Sequence, residues 1–304
     1  GLGDVYKRQQ AYDNAKDFFD TGITWSNSLN VAQMLDKSSY SISLGNTHQD
    51  GIISSTGMDR YNVKVSADTK LTNNWSSGFT ANYITTSIDK AVTSGNGLLR
   101  TVYAAPPSYD LAGIPSHVDG NPYTQNSFRG SFDNAYWAME NNKFTEDTNR
   151  FFGNVYASYQ TDFGTTNHKL NAKYMVGVDA YTTHYVDSYG YGSNTGGGRG
   201  QIENYGWTNA TYNSLLTINY DWHINEDWGL NAVVGNEIIQ SNRKKYYEYG
   251  TNYNFPGWNH INNATTQQTE EETWKNRTVG FFGNVSASYR NMLYLCLLYT
   301  SDAA

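Results

Sequence analysis

Few residues of this chain have types that could do bond-making chemistry, and their spacing does not favour it. His48, His117, His168, His184, His223 and His260 never fall at a metal-ligand spacing such as His-x-x-x-His, and each reads as a turn or loop residue. The carboxylate run TEEET (269–273) reads as a solvated loop ahead of a strand rather than a general-acid pair. Calcium is the ion that such a loop would take. GSNTGGGRG (192–200) lacks the Lys-Ser/Thr and the following helix of a phosphate loop, so a flexible loop is expected there. No catalytic residue, resident metal or cofactor is therefore expected, and no enzyme activity. The candidates for ligand contact are aromatic: Tyr103, Tyr109, Tyr123, Tyr136 and Trp137, spread among Asn, Asp and Pro in 88–149. Aromatic faces stack on sugar rings while amides and carboxylates bond hydroxyls, so this loop would line a glycan or peptide site. The plainer alternative is that these rings pack the loop against its neighbours or against a lid.

The composition suits a packed chain in which charges are sparse. Charged residues make up 16%, aromatics 15%, and tyrosine leads the aromatics with 26 copies. A disordered chain would have few aromatics. The net charge of −7 argues against nucleic acid as a partner, where a basic patch would be expected. Mean hydropathy is −0.66, and no apolar run reaches the roughly 18–20 residues of a membrane helix.

The elements that must position the aromatic loop are strands. Alternation of period two recurs: Tyr40, Ile42 and Leu44 oppose Ser39, Ser41 and Ser43, and Tyr61, Val63 and Val65 oppose Asn62, Lys64 and Ser66. Nine strands are expected near 24–33, 38–47, 60–70, 75–87, 150–161, 168–182, 209–222, 228–242 and 275–289, with a tenth from Leu293. A short helical turn is expected within Asp13–Gly22. Short and long connections alternate strictly: the long ones are 48–59, 88–149, 183–208 and 243–274. That pattern gathers tight turns at one end of a sheet and long loops at the other, as in transmembrane β-barrels of the outer membrane.

One nonamer is nearly repeated, FFGNVYASY at 151–159 and FFGNVSASY at 281–289. Both copies follow a long loop and precede a short turn. Val155, Ala157 and Tyr159 share a face, as do Val285, Ala287 and Tyr289, and the single mismatch, Tyr156 against Ser286, falls on the other face. We expect the six to face lipid, with Tyr159 and Tyr289 in the aromatic girdle near the periplasmic side. Phe152 and Phe282 stand on the nominally polar face, so a bulge is expected to shift the phase there.

The two ends read as translated DNA rather than protein. Back-translated, the stretch behind DVYKRQ is, one base along, the reverse complement of the stretch behind CLLYTS. They resemble the transposon adapters of a sequencing library, so 1–9 and 296–304 are set apart from fold reasoning. Cys296, the only cysteine, then belongs to the adapter, and what remains is a fragment with no thiol.

TGITWSNSLNVA with SYSISLGNTHQDGIISSTGMDRYNVKVSADTKL resembles the first barrel strands of SusC/RagA-like TonB-dependent transporters. The matching elements are Thr21-Gly22, Gly45-Asn46 with Gln49-Asp50-Gly51-Ile52, and Arg60-Tyr61. FDNAYWAMENNKFTEDTNRFFGNV (132–155) resembles the family's long-loop exit, with Ala135 where proline is common, and SYRNMLYL (288–295) resembles a later strand pair. The resemblance implies an all-β fold, part of an antiparallel transmembrane barrel of about 22 strands, open because incomplete. It implies a plug–barrel junction at 10–23 and barrel at 24–295. It further implies import of an oligosaccharide or peptide across the outer membrane of a Gram-negative cell, with a SusD-like surface lipoprotein as lid and TonB acting through a part absent here. A passive porin-like channel and a secreted carbohydrate-binding β-sandwich are the rival readings; a sandwich would bury its apolar rows between two sheets.

Overall fold

A computed structural model describes residues 10–92, 97–290 and 292–303. The stretch 1–9 set apart above lies outside the described residues. The chain begins with a short helix α1 (Asn14–Phe18), four residues shorter at its end than the turn expected from Gly22. Four strands follow: β1 (Ile23–Met34), β2 (Ser38–Asp50), β3 (Gly57–Lys70) and β4 (Trp75–Lys90). Helices α2 (Leu98–Ala104) and α3 (Ala135–Asn141) interrupt the next connection. Then come β5 (Lys143–Thr161), β6 (His168–Tyr189), β7 (Gln201–His223), β8 (Trp228–Tyr253), β9 (Ala264–Tyr289) and β10 (Leu293–Ala303). All ten strands form one antiparallel sheet in sequence order, open between β1 and β10. The all-β barrel-fragment fold expected from the sequence is the fold observed, and a sandwich is not, since the described strands form a single sheet.

Connections alternate as expected. The turns 35–37, 71–74, 162–167, 224–227 and 290–292 lie at one end, and 51–56, 91–142, 190–200 and 254–263 at the other. The strands at the long-loop end outrun their expected limits: β5 to β9 contain 19, 22, 23, 26 and 26 residues. The reason is chemical. Apolar-against-polar alternation marks a strand only where its two faces meet different solvents. Above that level Tyr, Glu, Asn and Thr occupy both faces, and the period-two signal fades while the ladder continues. Two readings are corrected accordingly. TEEET (269–273) lies within β9, where Glu271 pairs with Lys244 at 3.0 Å, and not in a loop. His48, His168, His184 and His223 are strand residues; only His117 and His260 are in connections.

The registers run without interruption across β4, β5 and β6 and, below Thr251, across β8 and β9, which gives the sheet two unlike faces. One cross-strand row reads Tyr40, Ala67, Phe79, Val155, Val176, Ser214, Ile238 and Val279. A row on the opposite face reads Ser41, Ser66, Thr80, Asn154, Gly177, Asn213, Ile239 and Thr278. We call these the outer and inner faces. Val155, Ala157, Tyr159, Val285, Ala287 and Tyr289 all lie on the outer face. Tyr159 packs its ring 5.0 Å from Trp75, and Tyr289 packs 4.8 Å from Trp228, both pairs beside the tight turns.

The bulge expected at Phe152 and Phe282 is absent, and both rings stay on the inner face. Each has found a partner there. Arg150 lies 5.0 Å over Phe152. Phe282 covers Gly235, where an added Cβ would come within 2.1 Å of the ring. A glycine facing an aromatic ring across two strands removes the need for a phase shift.

Candidate functional site

The long connections do not hang free; they form a layer with its own core. Leu98, Val102, Leu111, Ala135, Trp137 and Ala138 pack with Phe18 of α1 and Ile53 of the β2–β3 connection. Asn134 starts α3 by accepting the backbone N–H groups of Tyr136 and Trp137 on its side-chain oxygen. Asp133, just ahead of it and 7% exposed, joins two loops. Its carboxylate accepts from Gln125 Nε2 (2.7 Å), Ser193 Oγ (2.5 Å), Asn194 N (2.7 Å) and Asn194 Nδ2 (2.8 Å). The glycines of 190–200 serve this geometry. Gly192, Gly196, Gly197, Gly198 and Gly200 have positive φ, a backbone region that side chains with a Cβ disfavour. The expected flexible stretch is instead a folded one, with Ser193 wholly buried. Asn259 of the 254–263 connection ties in as well, donating to Asn141 O at 3.0 Å and to Ser188 Oγ at 3.3 Å.

The five aromatics singled out from the sequence all belong to this layer, in different roles. Trp137 is 0% exposed and donates its indole N–H to Pro122 O at 2.8 Å. Tyr136 packs edge-on to Phe18 at 5.3 Å and donates to Asp17 O. Burial raises its phenol pKa above the ordinary value, reinforced by Asp17, Asp110 and Asp20. Tyr109 is raised by burial too, and lies 5.6 Å from Phe128. Tyr123 sets its hydroxyl against Gly257, tying two connections together. Tyr103 alone leaves most of its ring in solvent, at 69% exposed.

Beneath the layer, the inner face of β5–β9 carries a second aromatic group that sequence reasoning missed. Tyr185 stacks on Tyr205 with centroids 4.8 Å apart and planes within 7°. Tyr247 and Trp207 flank the stack at 6.3 and 5.5 Å. Polar groups are interleaved with these rings. Tyr205 donates its hydroxyl to Asp187 at 3.0 Å. Lys90 lies 4.5 Å over Tyr185 and pairs with Glu146 at 3.5 Å. Arg150 gives a two-pronged contact to Asp179, at 2.9 and 2.6 Å. Lower down, Lys173 covers Tyr156, whose hydroxyl donates to Asp68. A cavity between layer and wall is lined by Ile53 and Val92 of the connections and by Lys90, Phe144, Asp187 and Tyr205 of the strands. These side chains offer ring faces, hydrogen bonds and charges, the means of binding a polar ligand. Among the described residues, no group of three or more His, Cys, Asp or Glu could hold a metal ion. The missed residues come from 183–208 and 243–274, which read as loops because their tyrosines stand on both faces; the density of tyrosine there was the available signal.

No protein family and no curated protein matches the sequence. Solved structures do match the fold. The RagAB peptide importer in its closed-closed state superimposes with a TM-score of 0.78 at 16% identity, over 99% of this chain and 35% of that one. Its open-open state gives 0.77 at 14% identity, over 99% and 34%. The RagAB peptide transporter gives 0.77 at 14%, over 96% and 33%. The chain thus spans about a third of the length of these structures, and at such identities the likeness is one of fold.

Proposed function

We propose that this chain is a wall segment of an outer-membrane, TonB-dependent transporter of the SusC/RagA-like kind, one that imports an oligosaccharide or a peptide beneath a SusD-like lipoprotein. The observation that carries the reading is the unlike pair of faces. On the outer face Leu29, Val31, Ile42, Val63, Val155 and Val234 are each at least 40% exposed, with no second layer of described residues over them. Leaving such a side chain in water forgoes about 1.5–3 kcal/mol, and contiguous patches of this kind mark membrane or partner contact. Lipid is the solvent that suits this apolar part of the face, and a closed barrel is the sheet that lipid permits. The inner face would then line a polar lumen.

In this reading 10–23 is the junction to a plug, 24–295 is barrel, and the stretches 1–9 and 296–304 derive from adapter DNA. Ligand is captured by the loop layer under the lipoprotein, with Tyr103, Tyr109, Tyr123, Tyr136 and Trp137 shaping the mouth, and passes along the inner wall when TonB draws on the plug. No covalent chemistry is involved.

The test is uptake by cells carrying the intact gene, with fluorescent oligosaccharides and peptides of matched size. Accumulation that collapses on adding a protonophore, and on deleting TonB, is the expected result. Uptake indifferent to both would instead establish a passive channel.

A further inference from the structure

On the inner wall, one group of hydrogen-bond donors beside two indole rings is unanswered among the described residues. Arg243 on β8 sits across from Asn209 on β7 and Trp274 on β9. Its guanidinium lies 5.2 Å from the Trp207 ring centre and 5.5 Å from that of Trp274, and is exposed on the lumen side. Among the described residues it makes these ring contacts and neither an ion pair nor a hydrogen bond. Beside it, the Asn209 side-chain nitrogen is buried with no acceptor. The rest of the wall is arranged differently. Arg150 is answered by Asp179, Glu146 by Lys90, and Asp187 by the Tyr205 hydroxyl. So Asp179, Glu146 and Asp187 have donors, whereas the Arg243 guanidinium and the Asn209 side-chain nitrogen have no acceptor among the described residues.

We propose that Arg243, Asn209, Trp207 and Trp274 form a subsite for a carboxylate carried beside a ring or planar group. A guanidinium presents two parallel N–H donors that match both oxygens of a carboxylate. Stacking against the indole rings fixes the plane of that fork. The Asn209 amide supplies a third donor. The Tyr185–Tyr205 stack and Tyr247, on rows nearer the loops, supply ring faces for the remainder of the ligand. Two sources share this chemistry, an acidic sugar and a peptide with a free carboxylate. The inference rests on the transport reading, because it needs the inner face to meet a ligand.

The experiment is calorimetric titration of the intact protein, purified in detergent at low salt, with two matched pairs of probes. One pair is trigalacturonate and its neutral trigalactose counterpart. The other is the tripeptide Gly-Gly-Phe and its C-terminal amide. In one pair the acid is expected to bind about tenfold to hundredfold more tightly than its neutral partner, the value of a charge-assisted hydrogen bond, and that pair names the source. Arg243→Gln should bring the ratio to near one. Arg243→Lys, which keeps the charge and loses the fork, should give an intermediate ratio and guards against a folding defect in the first variant. A ratio near one in the unaltered protein, a ratio that survives Arg243→Gln, or no binding by any probe would each overturn the subsite. The protonophore experiment decides the transport reading separately, so uptake that requires energy alongside any of these results would remove the subsite alone.

Discussion

The loop layer and the outer face treat apolar side chains in opposite ways. In the layer, Trp137, Leu111 and Val102 are 0, 1 and 2% exposed, enclosed by the chain itself. On the outer face, Val155 is 53% exposed, and none of the described residues covers it. The first region is a small core whose apolar side chains are covered by the chain itself. On the transport reading proposed above, the second is complete only with lipid against it. An exposed valine therefore carries as much structural information as a buried tryptophan, once the solvent it was selected for is known.

The largest effect should come from opening the core. Trp137→Ala removes the layer's largest wholly buried side chain and orphans Pro122 O, and replacements of this kind cost about 3–5 kcal/mol. The expected outcome is local: limited proteolysis cuts within 91–142, while the barrel still migrates as a folded, heat-modifiable band. Loss of the barrel band would mean that the layer and the sheet form one cooperative unit, and the contrast between them would fail.

Val155→Lys tests the other side. A cation at the middle of the lipid band costs roughly 2–4 kcal/mol, and it should block membrane assembly while leaving nothing to disturb in the loop core. Membrane fractionation of the variant reads this directly. Normal insertion would place Val155 away from lipid and reverse the assignment of the faces.

Asp133→Ala should come next, at about 1.5–3 kcal/mol, the scale of hydrogen bonds to a charged group. Ser193, Asn194 and Gln125 would all lose the same acceptor. Faster amide exchange across 190–200, with β6 and β7 unchanged, is the expected signature. Unaltered exchange would return that glycine-rich stretch to the flexible loop its composition suggests.

What the sequence discloses follows the same division. Alternation such as Tyr61, Val63, Val65 against Asn62, Lys64, Ser66 exposes β3 to within a few residues, because its two faces differ in polarity. The repeat around Val155 and Val285 fixes a common face for both copies for the same reason. Where the surroundings are wet on both sides the strand survives and its signature does not, so Tyr205 and Tyr247 were hidden in segments read as loops. The stack they form with Tyr185 is a matter of register across three strands, which no local window contains. The aromatics of 88–149 were legible as a group, yet their division into Trp137 inside and Tyr103 outside depends on how α2, α3 and α1 pack together.

The smallest predicted effect is the most exact test of where lipid ends. Thr182 shares the outer face with Val155, across from Asn149 on β5 and Thr208 on β7, in the row where β8 contributes Lys244. That row already accommodates a cation, whose side chain is 57% exposed and answered by Glu271 on β9. If the lipid band ends below it, Thr182→Lys places charge at an interface and should cost only about 0–1 kcal/mol, with assembly indistinguishable from the unaltered protein in the same fractionation. The pair of lysine variants thus brackets the boundary on one face of one sheet. Equal damage from both would raise the boundary above Thr182 and put Lys244 in lipid, a position its exposed ion pair does not suit; equal tolerance of both would remove lipid from the face altogether.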